Sequence, residues 1–157
     1  NTVAHSILSF KGYPINLLTV HISGGMSMLT RAREAAHAIK SKVIGVSLLT
    51  SLDQKDVEKV FFNDIRKVAD NLFDLAKEAN MDGIVCSAHE LKYARTNIPN
   101  LLKIVPGIRL SSDNDDQKRV MSPEEALKLG ANHLVIGRPI TESKHPNAEL
   151  EKIYETL

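Results

Sequence analysis

Five short apolar runs, separated by segments with helical periodicity, constrain this chain more than any other feature. The runs are "LLTVHI" (17–22), "KVIGVSLLT" (42–50), "GIVCSA" (83–88), "LLKIVPGI" (101–108) and "HLVIG" (133–137). Their apolar residues are consecutive rather than alternating, which predicts strands buried on both faces. Strands that alternate with helices in this way form a parallel sheet with right-handed crossovers. The sequence therefore predicts an α/β fold.

Two of the intervening segments carry clear helix signals. The segment "DIRKVADNLFDLAKEAN" (64–80) has one apolar stripe, made by Ile65, Val68, Ala69, Leu72, Phe73, Leu75 and Ala76. The segment "SPEEALKLGAN" (122–132) predicts a compact helix with Ser122 as N-cap, Pro123 at the first helical position, Glu125 three residues after the cap and Gly130 as the stop.

The first residues also predict a helix. Asn1 can serve as its N-cap, and Val3, Ile7, Leu8 and Phe10 fall near helical spacing. The chain begins without an initiator methionine, as though a helix had already been entered. We therefore expect these residues to be a piece of a longer protein.

Two architectures fit a repeated strand and helix pattern: an open doubly wound sheet and a (β/α)8 barrel. No G-x-G-x-x-G motif follows the first apolar run, which weighs against a dinucleotide-binding fold. In both architectures the ligand lies at the carboxyl ends of the strands. Those ends are where the functional residues are expected.

Composition excludes several classes of function. The 157 residues suffice for a single domain, 1–157, and their net charge of +1 comes from interspersed acids and bases. This distribution provides neither a basic stripe for nucleic acid nor a polybasic arm for a membrane. No apolar run approaches the roughly 20 residues that span a bilayer. The only cysteine, Cys86, cannot form an internal disulfide and suits a reducing compartment.

Two arginines stand at the ends of consecutive apolar runs. Arg109 lies in "PGIRL" (106–110) and Arg138 in "IGRPIT" (136–141), each near a turn glycine that leaves backbone N–H groups accessible. Such N–H groups bind phosphate, and a guanidinium adds a two-pronged, charge-assisted contact. Arg138 is therefore predicted to face a phosphate. The alternative is a surface arginine paired with a nearby acid.

The order of the motifs identifies a family likeness. The segments "NTV", "VHISGG", "LLTS", "VPGIR" with the loop S-x-D-x-x-D-Q-x-R after it, and "VIGRPIT" together resemble orotidine 5′-phosphate decarboxylase over the whole chain. The resemblance implies a homodimeric (β/α)8 TIM barrel, of which this chain supplies about the last five βα units. It also implies a cytoplasmic lyase that decarboxylates orotidine monophosphate to UMP in pyrimidine biosynthesis, with no metal and no organic cofactor.

The resemblance places the catalytic residues outside this chain. The family's signature D-x-K-x-x-D runs directly into I-P-N-T, and this chain begins at the Asn-Thr pair. The catalytic aspartates and lysines are therefore expected upstream of Asn1, so that no catalytic residue lies in residues 1–157.

The same resemblance assigns substrate-binding roles to eight residues. It implies phosphate contacts for Gly137 and Arg138, and a bridge between phosphate and pyrimidine from Gln117 in a mobile lid (111–119). Thr50 and Ser51 would read the pyrimidine edge, although both could instead cap the following helix. Asn1 and Thr2 would lie at the ribose, with Thr2 reaching into the partner subunit's site, and Arg109 would lie near the ligand.

Other candidate groups receive structural interpretations. His21 stands at a strand end and is taken as a hydrogen-bonding structural residue rather than a base. Cys86 lies inside an apolar run and is taken as a small hydrophobe rather than a nucleophile. The remaining histidines lack metal-ligand spacing with carboxylates or cysteines, so no metal site is predicted.

Two other functions stay open from the sequence. One is a phosphosugar-acting relative on the same barrel, a magnesium-dependent decarboxylase or an aldolase-type enzyme. The other is a non-catalytic fragment that binds a phosphorylated ligand. The pyrimidine-bridging Gln117 and the "GRPIT" ending favour the nucleotide enzyme over the phosphosugar-acting relative.

Overall fold

Five parallel strands form one sheet in the computed structural model, which describes residues 1–109 and 121–157. The strands are β1 (Leu17–His21), β2 (Lys42–Val46), β3 (Gly83–Val85), β4 (Leu102–Pro106) and β5 (His133–Val135). All four neighbouring pairs are parallel, which confirms the predicted α/β fold. Each strand is shorter than its apolar run, because the last residues of the runs leave the sheet and enter the following loops.

The helices of the described residues lie before, between and after these strands. They are α1 (Thr2–Leu8), α2 (Met26–Ala38), α3 (Gln54–Phe61), α4 (Ile65–Glu78), α5 (Leu91–Asn97), α6 (Pro123–Lys128), α7 (Arg138–Thr141) and α8 (Pro146–Glu155). Short 3-10 turns at Ile22–Gly24 and Ala88–Glu90 precede α2 and α5. Five residues of the predicted α4 stripe are buried, and Ile65 and Leu75 are half-buried. Ser122 and Glu125 form the predicted capping box of α6.

The spatial order of the strands decides between the two architectures. The order β1-β2-β3-β4-β5 follows the chain, so every crossover moves to the next position in the same direction. A doubly wound sheet would reverse direction at a switch point, whereas a barrel never does. The described sheet is therefore an arc of a (β/α)8 barrel.

The two faces of this arc differ in burial. Val43, Ile84 and Val105 lie on the face that packs against the helices and are fully buried in the hydrophobic core. On the opposite face, His21 of β1 and Val135 of β5 are exposed, Val135 to 49%. The prediction of strands buried on both faces is thus wrong for the two outer strands, because within the described residues each has a neighbouring strand on one side only.

Two helix–strand junctions are built in the same way. The residue before β3, Asp82, accepts the Val43 N–H at 2.8 Å through Oδ2 and donates its own N–H to Val43 O at 3.2 Å. The residue before β5, Asn132, accepts the Lys103 N–H at 2.8 Å and donates to Lys103 O at 2.9 Å. Each side chain thereby holds the start of one strand against its neighbour. Asp82 also contacts His37 Nε2 of α2 at 2.9 Å.

Candidate active site at the carboxyl ends of the strands

Most of the predicted substrate-binding residues lie at one edge of the sheet. Thr50 and Ser51 follow β2, Arg109 follows β4, and Gly137 and Arg138 follow β5. Because all five strands are parallel, these positions share the carboxyl-end rim of the sheet. Arg109 and Arg138 belong to adjacent strands, whose last paired residues are Pro106 and Val135.

The end of β5 presents an arginine beside accessible backbone. Arg138 is exposed and begins α7, a single turn in which the N–H groups of Ile140 and Thr141 donate to Gly137 O at 2.9 and 3.0 Å. A Cβ atom added at Gly137 would meet no atom within 4 Å. The space beside Gly137 is therefore open to a ligand approaching the main chain.

The end of β4 turns sharply before its arginine. Gly107 has φ +77°, a conformation that favours glycine, and Ile108 beyond it is buried and pairs with Met121. The Arg109 N–H donates to Met121 O at 3.3 Å, and the residue itself is half-buried. Gln117 and the predicted lid lie outside the described residues, so their assignment stays a prediction.

The rim arginines differ from arginines held in surface ion pairs. Among residues 1–109 and 121–157, no carboxylate lies within 4.0 Å of the Arg109 or Arg138 guanidinium; the ion pairs there join His37 to Asp82, Lys128 to Glu124 and Lys152 to Glu149. The alternative of a surface arginine paired with an acid finds no partner in that part of the chain. Two positive charges at neighbouring strand ends favour an anionic ligand.

The end of β2 leaves Thr50 and Ser51 unused by the following helix. The N-cap of α3 is Asp53, whose Oδ1 accepts the Asp56 N–H at 2.9 Å, while Asp56 Oδ2 accepts the Asp53 N–H at 3.3 Å. The alternative that Thr50 or Ser51 caps this helix is therefore wrong. Both residues are exposed at the rim, where their hydroxyls are available to a ligand.

The start of α1 differs from its prediction in one respect. Asn1 occupies the N-cap position, yet its side chain caps no N–H of the helix. Its Oδ1 instead accepts a hydrogen bond from Arg31 Nη1 of α2 at 2.5 Å. Since helices of a βα barrel run antiparallel to the strands, Asn1 and Thr2 lie at the same end of the sheet as the other candidates.

Two neighbouring groups near the end of β3 are held in structural roles. Cys86 is 1% exposed, and burial, with a further contribution from the Glu90 carboxylate, raises the pKa of its thiol to about 12. The thiol is therefore protonated at neutral pH and packs as a small hydrophobe, as predicted. Burial also raises the pKa of Glu90, although its carboxylate accepts the Ser87 N–H at 2.6 Å.

Sequence reasoning missed two residues that support this rim. Ser47 is 5% exposed, and it donates through Oγ to Val85 O of the neighbouring strand at 3.0 Å. Its only sequence signal was a hydroxyl interrupting an apolar run. Arg31 gave no signal, because its bond to Asn1 joins residues that are thirty positions apart.

One sizeable cavity lies between two helices, beside the loop that follows β3. It has a volume of about 940 Å³, lies between α4 and α5, and is lined in part by Phe73, Glu90 and Tyr93. None of the predicted substrate-binding residues lines it. The rim is the better candidate site, because it combines accessible backbone with two arginines that form no ion pair within residues 1–109 and 121–157.

The described residues contain neither a cluster of metal ligands nor a membrane-spanning helix. Within residues 1–109 and 121–157, no group of three or more His, Cys, Asp or Glu side chains could hold a metal ion. None of the helices in that part of the chain is long and apolar enough to cross a membrane.

Comparison with known proteins identifies the family of this chain. Residues 1–153 match the model of the orotidine 5′-phosphate decarboxylase / HUMPS family. The chain belongs to this family. Family members with high identity include the orotidine 5′-phosphate decarboxylases of Ehrlichia chaffeensis, 43% identical over 98% of this chain and 68% of that protein, and of Wigglesworthia glossinidia brevipalpis, 42% identical over 100% of this chain and 70% of that protein.

Solved structures of the family share the fold. The orotidine 5′-phosphate decarboxylase of Lactobacillus acidophilus superposes with a TM-score of 0.84 at 30% identity, covering 99% of this chain and 69% of that one. The orotidine 5′-monophosphate decarboxylase of Sulfolobus solfataricus has a TM-score of 0.71 at 19% identity, over 98% of this chain and 66% of that one, and supports the fold alone. The described sheet thus corresponds to the larger part of a family barrel.

Proposed function

We propose that this chain forms the phosphate-binding part, and part of the ribose and pyrimidine site, of an enzyme that decarboxylates orotidine 5′-monophosphate to UMP in pyrimidine biosynthesis. The observation that carries the proposal is the pair of rim arginines, Arg109 and Arg138, with no carboxylate partner among the described residues. The relatives quoted above, all named as this decarboxylase, specify the reaction.

The chain's own residues would bind and orient the nucleotide rather than break the carbon–carbon bond. Arg138 and the backbone at Gly137 would hold the 5′-phosphate, with Arg109 close by on the adjacent strand. Binding energy from a group remote from the reacting carbon can lower the barrier when it is realised in the transition state. The lysines and aspartates that handle the leaving carboxylate are expected upstream of Asn1.

The substrate of the alternative, a sugar phosphate, has the same phosphate group as the nucleotide but lacks the pyrimidine base. The family description includes both enzyme types, so membership alone does not separate them. Thr50 and Ser51 favour the nucleotide, because Asp53 caps α3 and leaves both hydroxyls for a ligand. A sugar phosphate would have no pyrimidine edge for these hydroxyls to contact.

The test is an assay of orotidine 5′-monophosphate decarboxylation. A protein that carries residues 1–157 together with the upstream barrel units should convert the nucleotide to UMP and CO₂, and added Mg²⁺ should not change its rate. Residues 1–157 alone should give no turnover above background, and turnover by this chain alone would mean that the catalytic residues are misplaced. Stimulation by Mg²⁺ with a sugar phosphate would favour the alternative enzyme, and nucleotide binding without turnover would favour the non-catalytic binding protein.

We further propose a homodimer in which Thr2 serves the partner's site. The test mixes two impaired variants, Thr2→Val and Arg138→Ala, of a protein that contains the upstream units, at a substrate concentration so low that each variant alone has little activity. If sites are shared, half of the randomly formed dimers have one site with both defects and one intact site, so that about a quarter of the activity returns. If each subunit completes its own site, mixing restores none.

The proposed compartment is the cytoplasm. The single cysteine, Cys86, is buried and reduced, and it suits a reducing environment. Fractionation of the source cells, followed by immunodetection, would test this location.

A further inference from the structure

Ser47 is a buried polar residue at the exit of β2. It follows the last residue of the strand and is 5% exposed. Its N–H donates to Val85 O at 3.2 Å, and its Oγ donates to the same oxygen at 3.0 Å. The Val85 carbonyl of β3 therefore accepts hydrogen bonds from both the N–H and the hydroxyl of Ser47.

The hydroxyl is not needed to complete the sheet. The N–H of Ser47 already continues the hydrogen-bond ladder between β2 and β3 beyond Val46. A buried hydroxyl is costly unless it is hydrogen-bonded, and an alanine would fill an apolar site without that requirement. The second bond instead fixes the direction in which the chain leaves the strand.

The chain that leaves β2 carries two of the candidate substrate contacts. Leu48 is buried, whereas Thr50 and Ser51 are exposed, and the segment turns through a bond from Leu52 N–H to Leu49 O at 3.0 Å. Within the described residues, the hydroxyls of Thr50 and Ser51 form no hydrogen bond that would fix them. Their placement depends on the residues that anchor the segment on either side, among them Ser47 and the Asp53 cap of α3.

We infer that Ser47 is a positioning residue for the loop that presents Thr50 and Ser51 to the pyrimidine. The inference rests on the proposed function, because it requires those hydroxyls to contact the base. Ser47 acts through the loop and does not touch the ligand. Its loss should therefore weaken recognition of the base and leave recognition of the phosphate unchanged.

The same strand provides a matched control. Ser41 directly precedes β2, is 4% exposed, and donates through Oγ to Ile15 O at 2.7 Å. Ser41 and Ser47 are thus two buried serines with equivalent bonds at opposite ends of one strand. Only Ser47 lies at the rim, so that Ser41→Ala reports the cost of losing such a bond away from the site.

The experiment compares the binding of two probes, UMP and ribose 5-phosphate, to a protein that carries this chain with the upstream barrel units. Ser47→Ala should weaken UMP binding roughly two- to tenfold, the loss expected for one hydrogen bond, and leave ribose 5-phosphate binding unchanged. Ser47→Thr keeps the hydroxyl and should bind UMP as the unchanged protein does. Ser41→Ala should leave both affinities unchanged.

Three outcomes would overturn the inference: equal UMP affinity before and after Ser47→Ala, equal losses for both probes, or the same UMP loss in Ser41→Ala. If Ser47→Ala does not fold, Ser47→Cys provides the test, because a thiol of similar size is a weaker donor and should cause a smaller loss in the same direction. UMP affinity unchanged in that variant would also refute the role.

A further variant separates this inference from the proposed function. Thr50→Ala combined with Ser51→Ala removes the proposed base contacts directly. If this pair of changes weakens UMP binding and Ser47→Ala does not, the positioning role alone fails. If the pair has no effect, the proposed pyrimidine contacts fail and the inference fails with them.

Discussion

Arg138→Ala provides the most direct test of the phosphate site. Arg138 is exposed, it makes no ion pair with a described acid, and it begins a helix of four residues, so its side chain contributes little to folding. The variant should retain its unfolding temperature. A hydrogen bond to a charged group contributes about 1.5–3 kcal/mol, so affinity for a 5′-nucleotide should fall roughly ten- to a hundredfold.

The assay measures UMP and uridine binding by a protein that contains the upstream units, before and after the substitution. Uridine lacks the phosphate and should bind equally to the unchanged protein and to the variant, because it does not contact the Arg138 side chain. Arg95→Ala is the control, since Arg95 lies in the last turn of α5, at the opposite end of the barrel, where its Nη1 donates to Lys128 O at 3.4 Å. Equal losses for UMP and uridine would refute the phosphate assignment.

Three further predictions concern the folded state. Asp82→Ala should lower the free energy of unfolding, measured in urea, by about 1–3 kcal/mol, because the buried N–H of Val43 loses its acceptor. Asp82→Asn keeps an acceptor oxygen and should lower the free energy of unfolding by less. Cys86 should resist iodoacetamide at neutral pH until the protein unfolds, since its pKa is raised to about 12; rapid alkylation of folded protein would contradict this. The pKa of Glu90 is raised on folding, so its contribution to stability is fully present below its ordinary pKa of 4.5 and is lost as pH rises through the higher folded value; Glu90→Gln should remove that pH dependence from urea unfolding.

Local signals in the sequence predicted the elements well. The stripe of α4 and the capping box of α6 depend on residues within a few positions of one another, so they can be recognised without knowing the fold. Strand lengths were overestimated, because an apolar run does not indicate where the chain leaves the ladder. The run 42–50 ends as a strand at Val46, and its remaining residues form the loop that carries Thr50.

Contacts between distant residues decided the details of the site. The sequence could not indicate that Arg31 holds Asn1, because the two meet only when α1 packs against α2. Nor could it distinguish Asp53 from Thr50 and Ser51 as the cap of α3, since all three residue types favour that position.

The sequence by itself determined the alternation of strands and helices and the residue types at the strand ends, since both follow from local periodicity and turn chemistry. Only the tertiary structure decided that the strands lie in chain order and that a single rim gathers Thr50, Arg109 and Arg138. The physical reason is that neighbouring strands are joined by backbone hydrogen bonds, which are the same for every residue type. The sequence of a strand therefore does not determine which strand pairs with it.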